Sequence, residues 1–255
     1  MLAPMPGRTF AIGDIHGDLD ALFKLLSCFP PIEATDTMIF VGDYIDRGPK
    51  SAGVVDYLRH RLPRETAARV ITLRGNHEDA WLRVVKQGWP EFVMPPGNGC
   101  LAALRSFRGL ALPEDGEIPR PEERQALIKG EFFPADVIEW MEALPIFYED
   151  KHAIYVHAGL PRNPKGGFFH PSEVEEPGKL LWCRDEQFFR HYRGKLVVFG
   201  HTATEYLPPE LSTYTPDDPT DIWGGPCTIG LDTGAGKGGF LTGLELPALR
   251  VYESR

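Results

Sequence analysis

A chain of 255 residues with 42% hydrophobic and 25% charged side chains has the balance of a soluble globular protein, which excludes a disordered or fibrous chain. Its length suits one α/β domain with an inserted helical segment. The formal net charge of −9 gives the surface no general attraction for nucleic acid or anionic membrane, so a phosphate-bearing ligand must be drawn by a local group of cations.

The first seven residues lack the basic start and apolar core of a leader, and no apolar run approaches the roughly 20 residues that span a bilayer. Cys28, Cys100, Cys183 and Cys227 form no CxxC pair and read as free thiols of a reducing cytoplasm.

In chain order, residues 8–13 read as a short strand ending at Gly13, followed by a helix with Leu19, Leu22, Phe23 and Leu26 on one stripe. Residues 37–42 repeat the pattern, and the next helix carries Val55, Leu58 and Leu62, with Pro49 near its start. A third unit begins at residues 69–73 and leads into a helix with Trp81, Val84 and Val85. Such alternation predicts a parallel sheet with helices on its faces. Residues 97–145 interrupt it with two helices. One starts near Pro121; the other starts near Pro134, turns Val137, Ile138, Met141 and Leu144 inward, and stops at Pro145. Strands return at 152–157, 195–199 and 227–231, with a hairpin over 239–253. Between them run two long loops rich in proline and glycine, 160–179 and 203–226, of a length that is often functional.

Five of these strands end in groups able to ligate a metal: Asp14 and His16; Asp43 and Asp46; Asn76 and His77; His157; His201. In an open α/β sheet the carboxyl ends of the strands share one edge, so distance along the chain is no obstacle to convergence. Asp14 and His16, two residues apart, can face the same side and grip one cation, and Asp43 has an oxygen for each of two cations. This mixed oxygen and nitrogen set suits manganese, iron or zinc, where an all-oxygen set would favour magnesium or calcium. Any one motif alone is more often a solvated turn or a satisfied core histidine; three in order, with two later strand-end histidines, favour a metal site.

The segments Gly13-Asp-Ile-His-Gly17, Gly42-Asp-Tyr-Ile-Asp-Arg-Gly48 and Leu73-Arg-Gly-Asn-His-Glu78 resemble the signature blocks of the phosphoprotein phosphatase (serine/threonine protein phosphatase) family of calcineurin-like metallophosphoesterases, bacterial type. The resemblance is dense over residues 9–85 and sparse later, at His157-Ala-Gly-Leu, Trp182-Cys-Arg-Asp and Phe199-Gly-His-Thr. It implies an α/β calcineurin-like metallophosphoesterase fold, with central mixed β-sheets flanked by helices, as one domain over 1–255 with a helical insertion at about 97–145.

It also implies roles. Asp14, His16 and Asp43 would hold one divalent metal ion, and Asp43, Asn76, His157 and His201 a second, with manganese expected and iron or zinc as alternatives. A water or hydroxide between them would attack phosphorus in line, with no phosphoenzyme. His77, paired with Asp46, would give a proton to the leaving oxygen; the plainer reading of Asp46 is a salt bridge to Arg47. Arg47, Arg74 and Arg184 would hold phosphate oxygens, since guanidinium offers a paired-donor fork. His60, His152 and His191 read as ordinary histidines, while His170 stays open.

The activity so implied is a serine/threonine, or dual-specificity, protein phosphatase acting on a phosphorylated protein or peptide. It is expected to be monomeric and cytoplasmic, with neither nucleic acid nor membrane as partner. The alternatives are symmetrical hydrolysis of diadenosine tetraphosphate and, more remotely, a silent phosphoprotein-binding module.

Overall fold

Strand alternation separates two sheets. The computed structural model describes residues 7–114, 116–214, 218 and 220–255; the reading of the first six residues, and part of the 203–226 loop, lie outside these. Ten strands run in chain order: β1 Thr9–Ile12, β2 Thr37–Phe40, β3 Arg69–Thr72, β4 Phe147–Glu149, β5 Ile154–Val156, β6 Val197–Phe199, β7 Trp223–Gly224, β8 Thr228–Gly230, β9 Thr242–Leu246 and β10 Arg250–Glu253. One sheet has the order β10-β9-β1-β2-β3 and the other β4-β5-β6-β8-β7. Parallel pairing joins β1–β2–β3 in the first sheet and β5–β6–β8 in the second; β9, β10, β4 and β7 are antiparallel additions.

The sheets face each other because both faces of the central strands are apolar. Phe10, Ile12, Met38 and Phe40 point to the helices, whereas Ala11 and Ile39 between them meet Tyr155, Val198 and Ile229 of the other sheet. On the outer face of that second sheet, Ile154, Val156, Val197 and Phe199 enter a separate core with Leu180 and Phe188. The alternation alone predicts a single parallel sheet, whereas the structure has the central mixed sheets that the resemblance implied, with β4 and β7 as unforeseen edge strands.

The helices are α1 Leu19–Cys28, α2 Ser51–Asp56, α3 Leu62–Glu65, α4 Asn76–Gln87, α5 Pro90–Val93, α6 Cys100–Arg108, α7 Pro121–Lys129, α8 Ala135–Ala143, α9 Gly178–Trp182 and α10 Glu186–His191, with a π-helical turn at Tyr57–Arg61 joining α2 to α3. Asp18 caps α1 by accepting from the Ala21 amide at 2.9 Å. Inside the insertion, α7 and α8 begin where Pro121 and Pro134 predict, and Val137, Met141 and Leu144 are buried as expected. A third helix there, α6, was not anticipated; Gly99 and Gly109, both at positive φ, bracket it.

Candidate metal centre

The ends of β1, β2 and β3 meet the ends of β5 and β6 at one rim, so the first sheet brings Asp14, His16, Asp43 and Asn76 and the second brings His157 and His201. All six are at least nine-tenths buried. The convergence expected along one sheet edge is thus made across the seam between two sheets. Asp43 stands at its centre: Oδ2 lies 3.4 Å from His16 Nε2, and Oδ1 lies 3.4 Å from His157 Nε2. Asn76 Oδ1 is 2.9 Å from His157 Nε2 and 2.8 Å from His201 Nδ1. Ligand atoms of Asp14, Asp43 and His157 form one group within 4.8 Å of one another, and those of His16, Asp43 and His77 form a second.

Backbone contacts aim these groups. His16, Asp43 and His201 have φ of 45°, 55° and 66°, a left-handed conformation that side chains rarely adopt and that tight packing must hold. The His16 and His157 rings each place Nδ1 2.9 Å from a carbonyl oxygen, of Ile45 and Val41 respectively. A carbonyl only accepts, so Nδ1 carries the proton and Nε2 of the neutral ring presents a lone pair. Burial holds all three histidines low: His16 and His201 well below the usual imidazole range, His157 less so.

For Asp43, burial acts upward, but the rings of His157, His77 and His16 outweigh it and keep the carboxyl well below its ordinary range. Burial, then Asp232 and Asp43, push Asp14 well up, and its Oδ1 has no hydrogen-bond partner. Neutral imidazoles, an ionised bridging carboxylate and a buried orphan oxygen are the donor set of a transition-metal site, and a divalent cation fits them.

Beside this cluster, His77 Nδ1 lies 2.6 Å from Asp46 Oδ2, and Trp81 Nε1 donates to both Asp46 oxygens at 3.0 and 2.9 Å. Asp46 therefore pairs with His77, the alternative of a salt bridge to Arg47 being absent among the described residues. His77 Nε2 then faces the cluster, 4.0 Å from Asp43 Oδ2. Glu78, quoted at the sequence level only as part of a block, accepts from the amides of Asp43 at 3.0 Å, Tyr44 at 2.9 Å and Gly75 at 2.9 Å. It ties the end of β2 to the start of α4, and burial followed by Asp43 pushes its carboxyl up to about 8.

The three arginines divide. Arg47 Nη1 contacts His16 Nε2, and Arg184 Nε donates to His201 Nε2 at 3.0 Å, so both guanidinium groups stand at the cluster. Arg74 does not: its Nη2 donates to the Glu142 carbonyl at the end of α8 at 2.5 Å, which gives it a structural anchor in place of the expected contact with phosphate. His170 is engaged by Glu149 at 2.9 Å and by Ser172.

Two grooves flank Arg47. A cavity of about 340 Å³ is walled by the insertion, including Met94, Leu101, Leu112 and Glu117. The other, of about 710 Å³, runs past Arg184 and His201 along residues 203–210, which gives the 203–226 loop a place at the site. The insertion also props Arg47 itself: the Arg47 amide donates to the Gly99 carbonyl at 3.2 Å, and a Cβ on Gly99 would overlap Arg47's backbone. Asp232, Lys237 and Gly99 are further site residues to which no role was given beforehand. No role was read into Asp232 from its place after the apolar run 227–231, and the glycines around Lys237 were the one available signal of a tight turn.

Residues 7–205 match the sequence model of the calcineurin-like phosphoesterases. The chain is 30% identical over 154 residues to a symmetrical bis(5'-nucleosyl)-tetraphosphatase of Dechloromonas aromatica, covering 60% of this chain and 44% of that protein. It is 27% identical to an asymmetrical bis(5'-nucleosyl)-tetraphosphatase PrpE of Oceanobacillus iheyensis, covering 92% and 87% of the two chains. The chain thus spans under half the length of the first relative and most of the second. A solved structure of a candidate diadenosine tetraphosphatase superposes with a TM-score of 0.59 at 23% identity, over 99% of this chain and 95% of that one. A cold-active protein-tyrosine phosphatase of a psychrophilic Shewanella does so with a TM-score of 0.56 at 17% identity, over 93% and 75%. Both likenesses speak to the fold.

Proposed function

The chain belongs to the calcineurin-like phosphoesterase family and is a hydrolase acting on phosphoric esters, and from that premise we propose that it cleaves its substrate at two divalent cations. Asp14, His16 and Asp43 hold one, and Asp43, Asn76, His157 and His201 hold the other, with manganese as the first candidate and iron and zinc as alternatives. The observation that carries this is Asp43, whose two oxygens face two separate imidazole nitrogens at 3.4 Å each. The cations supply Lewis acidity toward the phosphoryl oxygens and toward the attacking water.

The chain's own groups do the rest. His16 Nε2 has one lone pair, which would serve either a cation or Arg47, so in the loaded site the Arg47 guanidinium would be free to hold phosphate oxygens. His201 would help to hold a cation, and Arg184, whose Nε now donates to its Nε2, is the second guanidinium placed to hold phosphate oxygens. Asp46 and Trp81 fix the His77 ring with Nε2 toward the cluster, where it hands a proton to the leaving oxygen.

For the substrate we favour a dinucleoside polyphosphate, the class named for the relatives of Dechloromonas and Oceanobacillus. A phosphoserine or phosphothreonine protein is the second reading, supported by the Gly42–Gly48 and Leu73–Glu78 blocks. Hydrolysis of p-nitrophenyl phosphate with added manganese, lost on chelation, tests the reaction. Diadenosine tetraphosphate, a phosphoserine peptide and a phosphotyrosine peptide, assayed in parallel, separate the substrates. No turnover of any of them with manganese, iron or zinc would sink the proposal and leave a binding module.

A further inference from the structure

The two grooves share three lining residues, Arg47, Gly97 and Lys237, of which Arg47 and Lys237 carry charge. Lys237 sits in the turn Gly234-Ala-Gly-Lys-Gly-Gly239. Gly234, Gly236 and Gly238 have φ of 82°, 72° and 89°, which glycine adopts freely. The turn is closed by the Lys237 and Gly239 amides, each donating to the Gly234 carbonyl at 3.0 Å. It is also pressed against a ligand-bearing segment, since a Cβ on Gly236 would overlap the His16 carbonyl. Lys237 is the one long side chain on this fixed turn.

Its amine is lightly engaged. Nζ makes one ion pair, at 3.5 Å with Oδ2 of the buried Asp232, and among the described residues it forms no hydrogen bond. Three acids of the groove walls are already bound to other arginines: Glu117 to Arg105, and Glu186 and Glu210 to Arg190. A three-donor cation thus stands beside Arg47, at the junction of two grooves. A phosphomonoester has one phosphoryl group, whose oxygens the paired forks of Arg47 and Arg184 already serve.

We propose that Lys237 holds a second phosphoryl group of the substrate, adjacent to the one under attack, so that the site takes a phosphoanhydride chain. The inference rests on the two-cation reading above and gives the polyphosphate substrate favoured there a residue that holds its chain across the junction at Arg47.

Lys237→Met keeps most of the side-chain volume and removes the charge. The ratio of kcat/KM for diadenosine tetraphosphate to that for p-nitrophenyl phosphate should fall about tenfold, and Lys237→Arg should restore most of it. Calorimetry on the manganese-loaded protein with a methylene-bridged diadenosine tetraphosphate should show an affinity loss about tenfold larger than for inorganic phosphate. An unchanged ratio overturns the proposal. So does a Lys237→Met protein that has lost metal, because the lysine would then act through Asp232. Failure of the metal-loaded wild type on every substrate would instead strike the two-cation reading, so the two failures are distinguishable.

Discussion

At the scale of residues, the centre is governed by carboxylates in unlike surroundings. Asp43 is held ionised by the imidazoles around it, while Glu78, bonded to the Asp43 amide, is pushed up to about 8 by burial and by the Asp43 charge itself. The unfolded value is near 4.5, so between pH 4.5 and 8 the folded metal-free protein keeps a proton that the unfolded chain gives up. Stability from this group is therefore complete below pH 4.5 and is lost as the pH rises to 8. The metal-free wild type should melt at a lower temperature at pH 8.5 than at pH 6. Glu78→Gln should flatten that slope while costing about 1–3 kcal/mol at pH 6, since an amide nitrogen cannot accept from the amides that Glu78 now serves. Melting curves in chelator across this range check it; an undiminished slope in the variant refutes the assignment.

At the scale of elements, the insertion acts through its first helix. Gly99, at φ 72°, caps α6, and its carbonyl takes the Arg47 amide, so α6 sets the backbone of a residue that is itself at φ 67°. Gly99→Ala places a methyl group where the Arg47 backbone now lies and must move it. We expect kcat/KM to fall by about tenfold or more, with metal content unchanged, because no ligand is touched. Normal activity, or a loss of metal equal to the loss of rate, would contradict this route.

That connection was not legible in the sequence, although two of its signals were. Gly99 and Gly109 bracket a nine-residue helical stretch with an apolar first half, yet which arginine the first glycine touches is a long-range fact. Arg74 shows the same dependence: it stands two residues before Asn76, but the direction of a guanidinium depends on its neighbours, here the Glu142 carbonyl. By contrast, Asp14, His16, Asp43, Asn76, His157 and His201 were legible as candidates because each follows a strand-like run, although β3, before Asn76, is only half-buried at its sheet's edge.

At the scale of the molecule, periodicity alone hid the division into mixed sheets, which only the resemblance to the metallophosphoesterases implied. A strand buried on both faces is a continuous apolar run whether helices or another sheet cover it, and β4 and β7, of three and two residues, carry too little pattern to reveal the edges. The division matters because the candidate ligands come from both halves, and cations held there would fasten one sheet to the other. Few other polar ties cross at this rim: the His157 ring reaches the Val41 carbonyl, and the His201 amide reaches Asp14. Cations that bind only the folded arrangement stabilise it by about 2.7 kcal/mol when present at 100 times their dissociation constant. For a chain of this length that is a rise in melting temperature of about 5–10 °C. Asp43→Asn keeps the shape but removes the charge shared by both sites, so it should lose most of this rise as well as turnover. Calorimetric melting of both proteins, with chelator and then with manganese, makes the comparison. A single transition that moves up in the wild type and barely moves in the variant is the expected result; equal shifts in the two proteins would mean that Asp43 does not join the sites, and two separate transitions would mean that the sheets are not coupled through them.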